Sequence, residues 1–199
     1  MVWFVALPSS FALCLIPLPL VSALFEHGET SRQDALAISY ATAIYGLGLP
    51  AFMIQKLLQP LYFAREDTKT PLRFAVISML LNAILAITLL KVMGWIAVAV
   101  AASASAWVTS ILLWISAKKF GRAASALKTS TNRIKRTFLA SLVMGIILWA
   151  ASQNIYIAMQ TSAERVFFAI GLVFAGSTIY LVIVYMLQAF PKNSEKALN

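Results

Sequence analysis

The sequence is 199 residues long, 61% hydrophobic and 12% charged, with a mean hydropathy of +0.84 and a formal net charge of +9. A soluble domain is usually about 45–50% apolar and about 25% charged, so this composition excludes an ordinary water-soluble globule. One cysteine (Cys14) and one histidine (His27) offer no internal disulfide, no metal-ligand spacing and no histidine-based catalytic cluster, and the basic residues do not interleave with aromatics in polar surroundings as a nucleic-acid surface requires.

About 20 apolar residues in a helix cross the ~30 Å hydrocarbon core of a bilayer. Segments 1–25, 35–64, 72–90, 95–117, 138–157 and 166–187 meet that requirement, and their length leaves no room for a strand reading. The predicted fold is therefore all-α and integral to the membrane, with six transmembrane helices.

The first segment is interrupted by Pro8, Pro17 and Pro19, and Gly28 is the expected helix stop. Val21-Ser22-Ala23 loosely resembles a leader cleavage site, but no Lys or Arg precedes the apolar run, so the segment is read as a retained span. Ser31 followed by Asp34 is a capping box for the second segment, and Gly46, Gly48 and Pro50 predict a bend within it. Lys56 also lies inside this segment, nine residues before Arg65, or about 14 Å from that end of the helix. A charge at that depth must meet protein, water or a partner. With Gln55 and Gln59 beside it and Pro60 one turn on, two readings stand: a cavity-facing polar stripe that meets an anionic headgroup, or a lysine that snorkels or joins a buried hydrogen-bond network.

Thr70 followed by Pro71 predicts a helix start with threonine at the N-cap and proline at the first helical position. Asn82 is a lone amide within the third segment, read as interhelical glue or a polar path residue. In the fourth segment Ala97, Ala101, Ser105 and Thr109 recur every four residues and lay down one small face for close helix packing, and Gly171 with Ala175 predicts the same for the sixth. Thr161 with Glu164 is a second capping box, and Phe190-Pro191 is the expected end of the last helix.

The carboxylates all lie in loops or at span ends, with no nucleophile–base pair and no glycine-rich phosphate loop, so the sequence does not read as an enzyme and no cofactor is expected. Of the 16 cations, all but Arg32, Lys91, Arg165 and the intramembrane Lys56 fall in the 65–73 loop, in the 118–136 loop or in the C-terminal tail. The positive-inside rule places those stretches, and both termini, in the cytoplasm. The loop holding Glu26, His27, Glu29 and Asp34 then faces outward. The basic 118–136 loop is expected to lie along the anionic leaflet.

Two stretches resemble a known family. Leu24-Phe25-Glu26-His27-Gly28 is similar to the LFERG outer loop of the MurJ (MviN) family of lipid II flippases. The run from Lys56 to Arg73, KLLQPLYFAREDTKTPLR, resembles that family's KVLAPxFYAREDTxTPxR, and the order continues through Gly94–Trp107. The resemblance implies spans nine to fourteen of a fourteen-span transporter. Residues 1–117 would be the four-helix end of the second lobe, 118–136 a basic cytoplasmic loop, 137–190 the two extra C-terminal helices and 191–199 a polar cytoplasmic tail. It further implies a multi-pass protein of the bacterial inner membrane. This protein would act on an undecaprenyl-linked peptidoglycan precursor in membrane lipid by alternating access, with a separate N-terminal half as a possible partner and no nucleic acid. By that reading Lys56, Gln55, Gln59 and Asn82 are substrate-path candidates. Arg65, Glu66, Asp67, Thr68, Lys69, Thr70, Pro71 and Arg73 form a cytoplasmic gate motif, and Phe167, Phe168 and Phe174 are candidates for a lipid-tail groove. Alternatives are a fragment without transport of its own, or a flippase for another lipid-linked oligosaccharide.

Reporter fusions test the orientation. A reporter in the 118–136 loop or the tail should score as cytoplasmic, and one between residues 26 and 34 as external. The inverse pattern would overturn the assignment.

Overall fold

Proline placement decides how the first apolar segment folds. In the computed structural model, which describes residues 2–26, 30–120, 131–156 and 162–187, that segment forms two helices, α1 (Val2–Leu15) and α2 (Pro17–Phe25), bent by 78° at Ile16. Pro17 and Pro19 have no N–H to give the carbonyls of Leu13 and Leu15, four residues back, so two helical bonds are lost across the junction and the chain bends there. Pro17 opens α2, where no donor is needed. In place of the expected single continuous helix stands a sharply bent helix pair.

The remaining helices are α3 (Arg32–Phe63), α4 (Lys69–Met93), α5 (Ile96–Ala117), α6 (Thr131–Tyr156) and α7 (Ser162–Met186), with a short 3-10 turn at Lys118–Phe120. Each of these five is long and apolar enough to cross a membrane, and the bent α1–α2 pair makes the sixth if its two halves cross together. The capping box at α3 forms as expected: the Asp34 N–H donates to Ser31 Oγ at 3.2 Å and the Ser31 N–H to Asp34 Oδ2 at 3.0 Å. At 32 residues, α3 is about 48 Å long, enough to cross the hydrocarbon at a tilt or to project beyond it. Gly94, at φ 58°, ends α4 in a conformation glycine adopts without penalty. The expected signals at His27-Gly28, Thr161 and Phe190-Pro191, and residues 121–130 of the basic loop, lie outside the described residues.

α5 is packed on two sides, against α3 and against α4. Its small residues allow this: Ala97, Ala101, Ser105 and Thr109 are all buried, as the spacing predicted. A Cβ added at Gly48 would sit 2.8 Å from Ser103 Oγ and 3.2 Å from Ser103 Cα, so α3 and α5 touch nearly backbone to backbone there. α5 side chains also donate to α3 carbonyls: Ser103 Oγ to Ile44 at 2.9 Å, Ser110 Oγ to Ala51 at 2.7 Å and Trp107 Nε1 to Leu47 at 3.0 Å. The last two helices attach to the broken first span, with α6 on α1 and α7 on α2. The small pair predicted for α7 is not used for packing: Gly171 has open space beside it and Ala175 is exposed. The close approaches are instead Gly176 against Leu148 and Gly145 against Leu15. A 3.6-residue repeat identifies a face of small residues but not which face meets a neighbour.

Two carbonyls left without a helical partner by proline find one across the bundle. Pro50 cannot donate to the Gly46 carbonyl, and Ser10 Oγ does so at 2.7 Å. Pro8 cannot donate to the Phe4 carbonyl, and the Tyr180 hydroxyl does so at 2.6 Å. Tyr180→Phe keeps the edge-to-face contact with Phe4 (ring centroids 5.2 Å apart) and removes only the hydrogen bond. It should lower stability in detergent by about 1 kcal/mol, read as a shifted denaturation midpoint. An unchanged midpoint would show that the bond contributes nothing.

Candidate functional site

The chemistry-bearing residues fall into three places: one face of α3, the corner between α3 and α4, and an apolar seam between the broken first span and α7.

On α3, Ile38, Tyr45, Phe52, Lys56 and Phe63 are all exposed. Spaced 7, 7, 4 and 7 residues apart, they fall within a narrow arc of a helix that turns about 100° per residue. Lys56 is thus the single cation on an aromatic-rich face that no described residue covers. Gln59 is half-buried at the edge of this face. Gln55 turns the other way, and its Nε2 donates to the Ala106 carbonyl of α5 at 2.7 Å, so its amide is used in helix packing. Asn82, on α4, is half-buried, and its Oδ1 is buried with no hydrogen-bond partner among the described residues.

At the corner, Tyr62 is fully buried and its hydroxyl donates to the Leu113 carbonyl at 2.7 Å. The chain then turns through Glu66, a non-glycine residue at φ 58°. That turn brings the Asp67 N–H back to the Tyr62 carbonyl at 3.1 Å. The Asp67 carboxylate accepts from the Thr70 N–H at 3.0 Å and from Thr70 Oγ1 at 2.9 Å, and Lys119 Nζ lies 3.1 Å from Asp67 Oδ2. The cap of α4 is therefore the Asp67 side chain, and the expected threonine cap is corrected. The helix begins at Lys69, and Pro71 is its third residue. Its missing N–H costs nothing there, because the first four donors of a helix have no helical acceptor. The Arg65 guanidinium sits 4.5 Å from the centre of the Phe120 ring. Lys119 sits 5.0 Å from the same ring, which stacks edge-on against Tyr62 at 4.9 Å. Arg65, Lys69, Arg73, Lys118 and Lys119 are exposed around this knot, as are Glu66 and Thr68.

Hydrogen bonds from the Thr70 N–H and hydroxyl, then from Lys119, hold the Asp67 carboxyl below the usual carboxylate range. A depressed pKa means the cap is intact at and above the ordinary carboxylate value and is lost as pH falls through the lowered one.

The seam is apolar. A cavity of about 350 Å³ is lined by Phe4, Pro8 and Ile16 from the first span, by Met144 and Leu148 from α6, and by Leu172 and Tyr180 from α7. A smaller one, about 250 Å³, lies between Leu20 and Leu24 of α2 and Ala169, Ile170, Val173 and Phe174 of α7. Leu20 and Val173 line both. Of the three phenylalanines expected to form a groove, Phe174 lines the smaller cavity, Phe168 packs against the core beside Ile16, and Phe167 is 74% exposed. Phe167 and Phe174 share a helix face and Phe168 does not, which their spacing alone indicates. Phe4 and Tyr180, the polar-tipped end of the groove, were missed. The pairing of Pro8 with the carbonyl four residues before it was the available signal.

Comparison with known proteins is consistent across sequence and structure. A family model described as lipid II flippase MurJ matches residues 1–174. A probable lipid II flippase MurJ of Rhizobium meliloti (strain 1021) is 34% identical over 185 residues, which is 92% of this chain and 34% of that protein. The corresponding protein of Vibrio cholerae serotype O1 is 30% identical over 197 residues, 99% of this chain and 38% of that protein. A solved structure of lipid II flippase MurJ in an inward closed conformation matches with a TM-score of 0.76 at 26% identity, covering 92% of this chain and 36% of that one. The chain spans about a third of the length of the curated relatives it matches.

Removing the Asp67 cap should loosen the corner. Asp67→Ala should lower the unfolding temperature in detergent and speed proteolysis at the 65–69 turn. Asp67→Asn, which keeps an acceptor for Thr70, should do so less. Equal effects would mean the Lys119 contact, and not the cap, holds the corner.

Proposed function

This chain belongs to the lipid II flippase MurJ family, and we propose on that premise that it supplies spans nine to fourteen of a flippase for a lipid-linked peptidoglycan precursor. The transporter works by alternating access in the bacterial inner membrane, with the 65–73 corner and both termini on the cytoplasmic side. Residues 1–117 close the second lobe, and α6 and α7 are the two extra helices beyond the basic 118–136 loop.

The observation that carries this reading is the separation of two surfaces suited to the two ends of one amphipathic lipid. The exposed α3 face presents Lys56, within the span and flanked by Gln59. A cation there meets a pyrophosphate without facing bare hydrocarbon. The seam along α1, α2 and α7 is lined almost wholly by apolar side chains, as an isoprenoid tail requires. The Arg65–Arg73 motif acts at a distance from both. Its capped and ring-stacked turn fixes where α3 ends and α4 begins, so it sets the cytoplasmic gate and leaves substrate contact to α3. Transport on this account breaks no covalent bond, and no residue is assigned a catalytic role.

The α3 face has no wall opposite it among the described residues, so the activity is assigned to a transporter in which the first eight spans supply that wall. In cells depleted of their own lipid II flippase, the chain alone should not restore growth, and co-expression with the first eight spans of a relative should. Lys56→Glu should abolish that rescue at unchanged membrane levels, and Lys56→Arg should retain it. Rescue by the chain alone would overturn the need for the first lobe, and rescue by Lys56→Glu would remove Lys56 from the path.

A further inference from the structure

The seam between α2 and α7 carries an ion pair at one end that neither the gate motif nor the α3 face explains. Arg165 Nη1, one turn into α7, donates to Glu26 Oε1, the residue that follows α2, at 2.5 Å. The two side chains retain 14% and 10% of their exposure, so the pair is largely withdrawn from water, and losing one partner would leave a poorly solvated charge. The guanidinium Nε is buried without a partner among the described residues, and Nη1 makes the contact to the carboxylate.

What the pair holds is a half-helix on a hinge. α2 has nine residues, and the break at Ile16 turns it 78° from α1. Pro17 and Pro19 remove the backbone bonds that would stiffen the junction. α2 packs against α3 and α7, and its Leu20 and Leu24 form one wall of the smaller cavity, with Ala169, Ile170, Val173 and Phe174 of α7 as the other. Dispersion contacts across such a seam are individually weak and undirected, and in lipid they have no water to exclude. A desolvated ion pair at its end is directed, and it fixes both the distance and the register of the two walls. At the opposite end of α7, Arg136 Nη1 donates to the Leu187 carbonyl at 3.0 Å and ties that helix to α6. α7 is thus pinned at both ends, and the Glu26–Arg165 tie joins it to the end of the hinged α2.

We infer that the Glu26–Arg165 pair is a latch that holds the α2 half-helix closed over the α2–α7 seam, and that α2 swings about Ile16 as a lid when the pair opens. An apolar chain lying in the seam leaves sideways into the leaflet only when the latch is released. The purpose assigned to the lid rests on the proposed function. The latch itself is a property of the fold, and it is read without transport.

The test is the reactivity of a cysteine inside the seam. In the full chain reconstituted in liposomes, with Cys14→Ser removing the native thiol, Leu20→Cys reports on the space both cavities share. Its rate of modification by a small water-soluble maleimide should rise about tenfold with Glu26→Gln or Glu26→Arg. In the reversed pair Glu26→Arg with Arg165→Glu it should return to within about twofold of the parent. Arg165→Lys, which keeps the charge and loses the fork, should fall between. Unchanged labelling in both Glu26 variants would overturn the latch, as would a reversed pair that labels as fast as the single reversal. Glu26→Gln keeps the side-chain shape and guards against misfolding, and a parent-like melting temperature confirms it. Failure of the growth rescue with this labelling pattern intact would count against the proposed function alone, and the reverse result against the latch alone.

Discussion

In a bilayer every backbone polar group must be satisfied inside the protein, because the hydrocarbon offers no water to take its place. Prolines within helices make that constraint visible. At Pro8 and Pro50 the freed carbonyls, Phe4 and Gly46, are recaptured by Tyr180 and Ser10, and the helices continue. These two bonds tie α1 to α7 and to α3, so the constraint also determines which helices are neighbours. At Pro17 and Pro19 two donors are lost within three residues, and the chain turns through 78° there. The position of α2, and with it the seam against α7, follows from that second outcome.

The same constraint explains why α5 serves as the central packing element. Lipid tails give little hydrophobic drive for one helix to prefer another, so association relies on close approach and interhelical hydrogen bonds. α5 has both: a buried face of alanine, serine and threonine, and side chains that reach carbonyls of α3 at Ile44, Leu47 and Ala51. Each of those contacts needs the small Gly48–Ser103 crossing to bring the helices near enough. α4 meets α5 on its other side and leaves Leu72, Met79, Leu80, Ile84 and Ile87 exposed.

Much of this was legible in the sequence because the signals are local. The Ser31–Asp34 box, the long apolar runs and the four-residue spacing in α5 each depend on residues within a few positions of one another, and apart from the first run, which bends at Ile16, each appears where expected. What was not legible depends on direction or on distance along the chain. Asp67 caps α4 because a left-handed Glu66 turns its carboxylate toward Thr70, and a threonine–proline pair gives no hint of that turn. Gly176, and not Gly171, meets a neighbour because α6 approaches α7 from one side only. Glu26 and Arg165 are far apart in the chain and become partners only when α7 docks on α2. Lys56 is intermediate: its depth was readable, but that it shares an exposed face with Tyr45, Phe52 and Phe63 while Gln55 turns into the α5 interface required the fold.

The joints beside the two proposed surfaces differ in how firmly they are held. The corner at residues 62–73 is tied by a buried tyrosine hydroxyl, a two-bond cap and cations stacked on Phe120, so α3 and α4 meet at a fixed joint. α2, by contrast, is turned 78° from α1 at Ile16 and has no side-chain cap at its start. Alternating access requires rigid pieces that move about a few yielding points. The stiff joint lies at the foot of the α3 face that bears Lys56, the face proposed above to meet a headgroup. The bent joint at Ile16 lies beside the apolar seam, which on the proposed function would hold a tail that needs only a gap and no fixed geometry. The division follows from chemistry: polar recognition is directional and demands a rigid frame, whereas apolar contact is not and tolerates a moving wall.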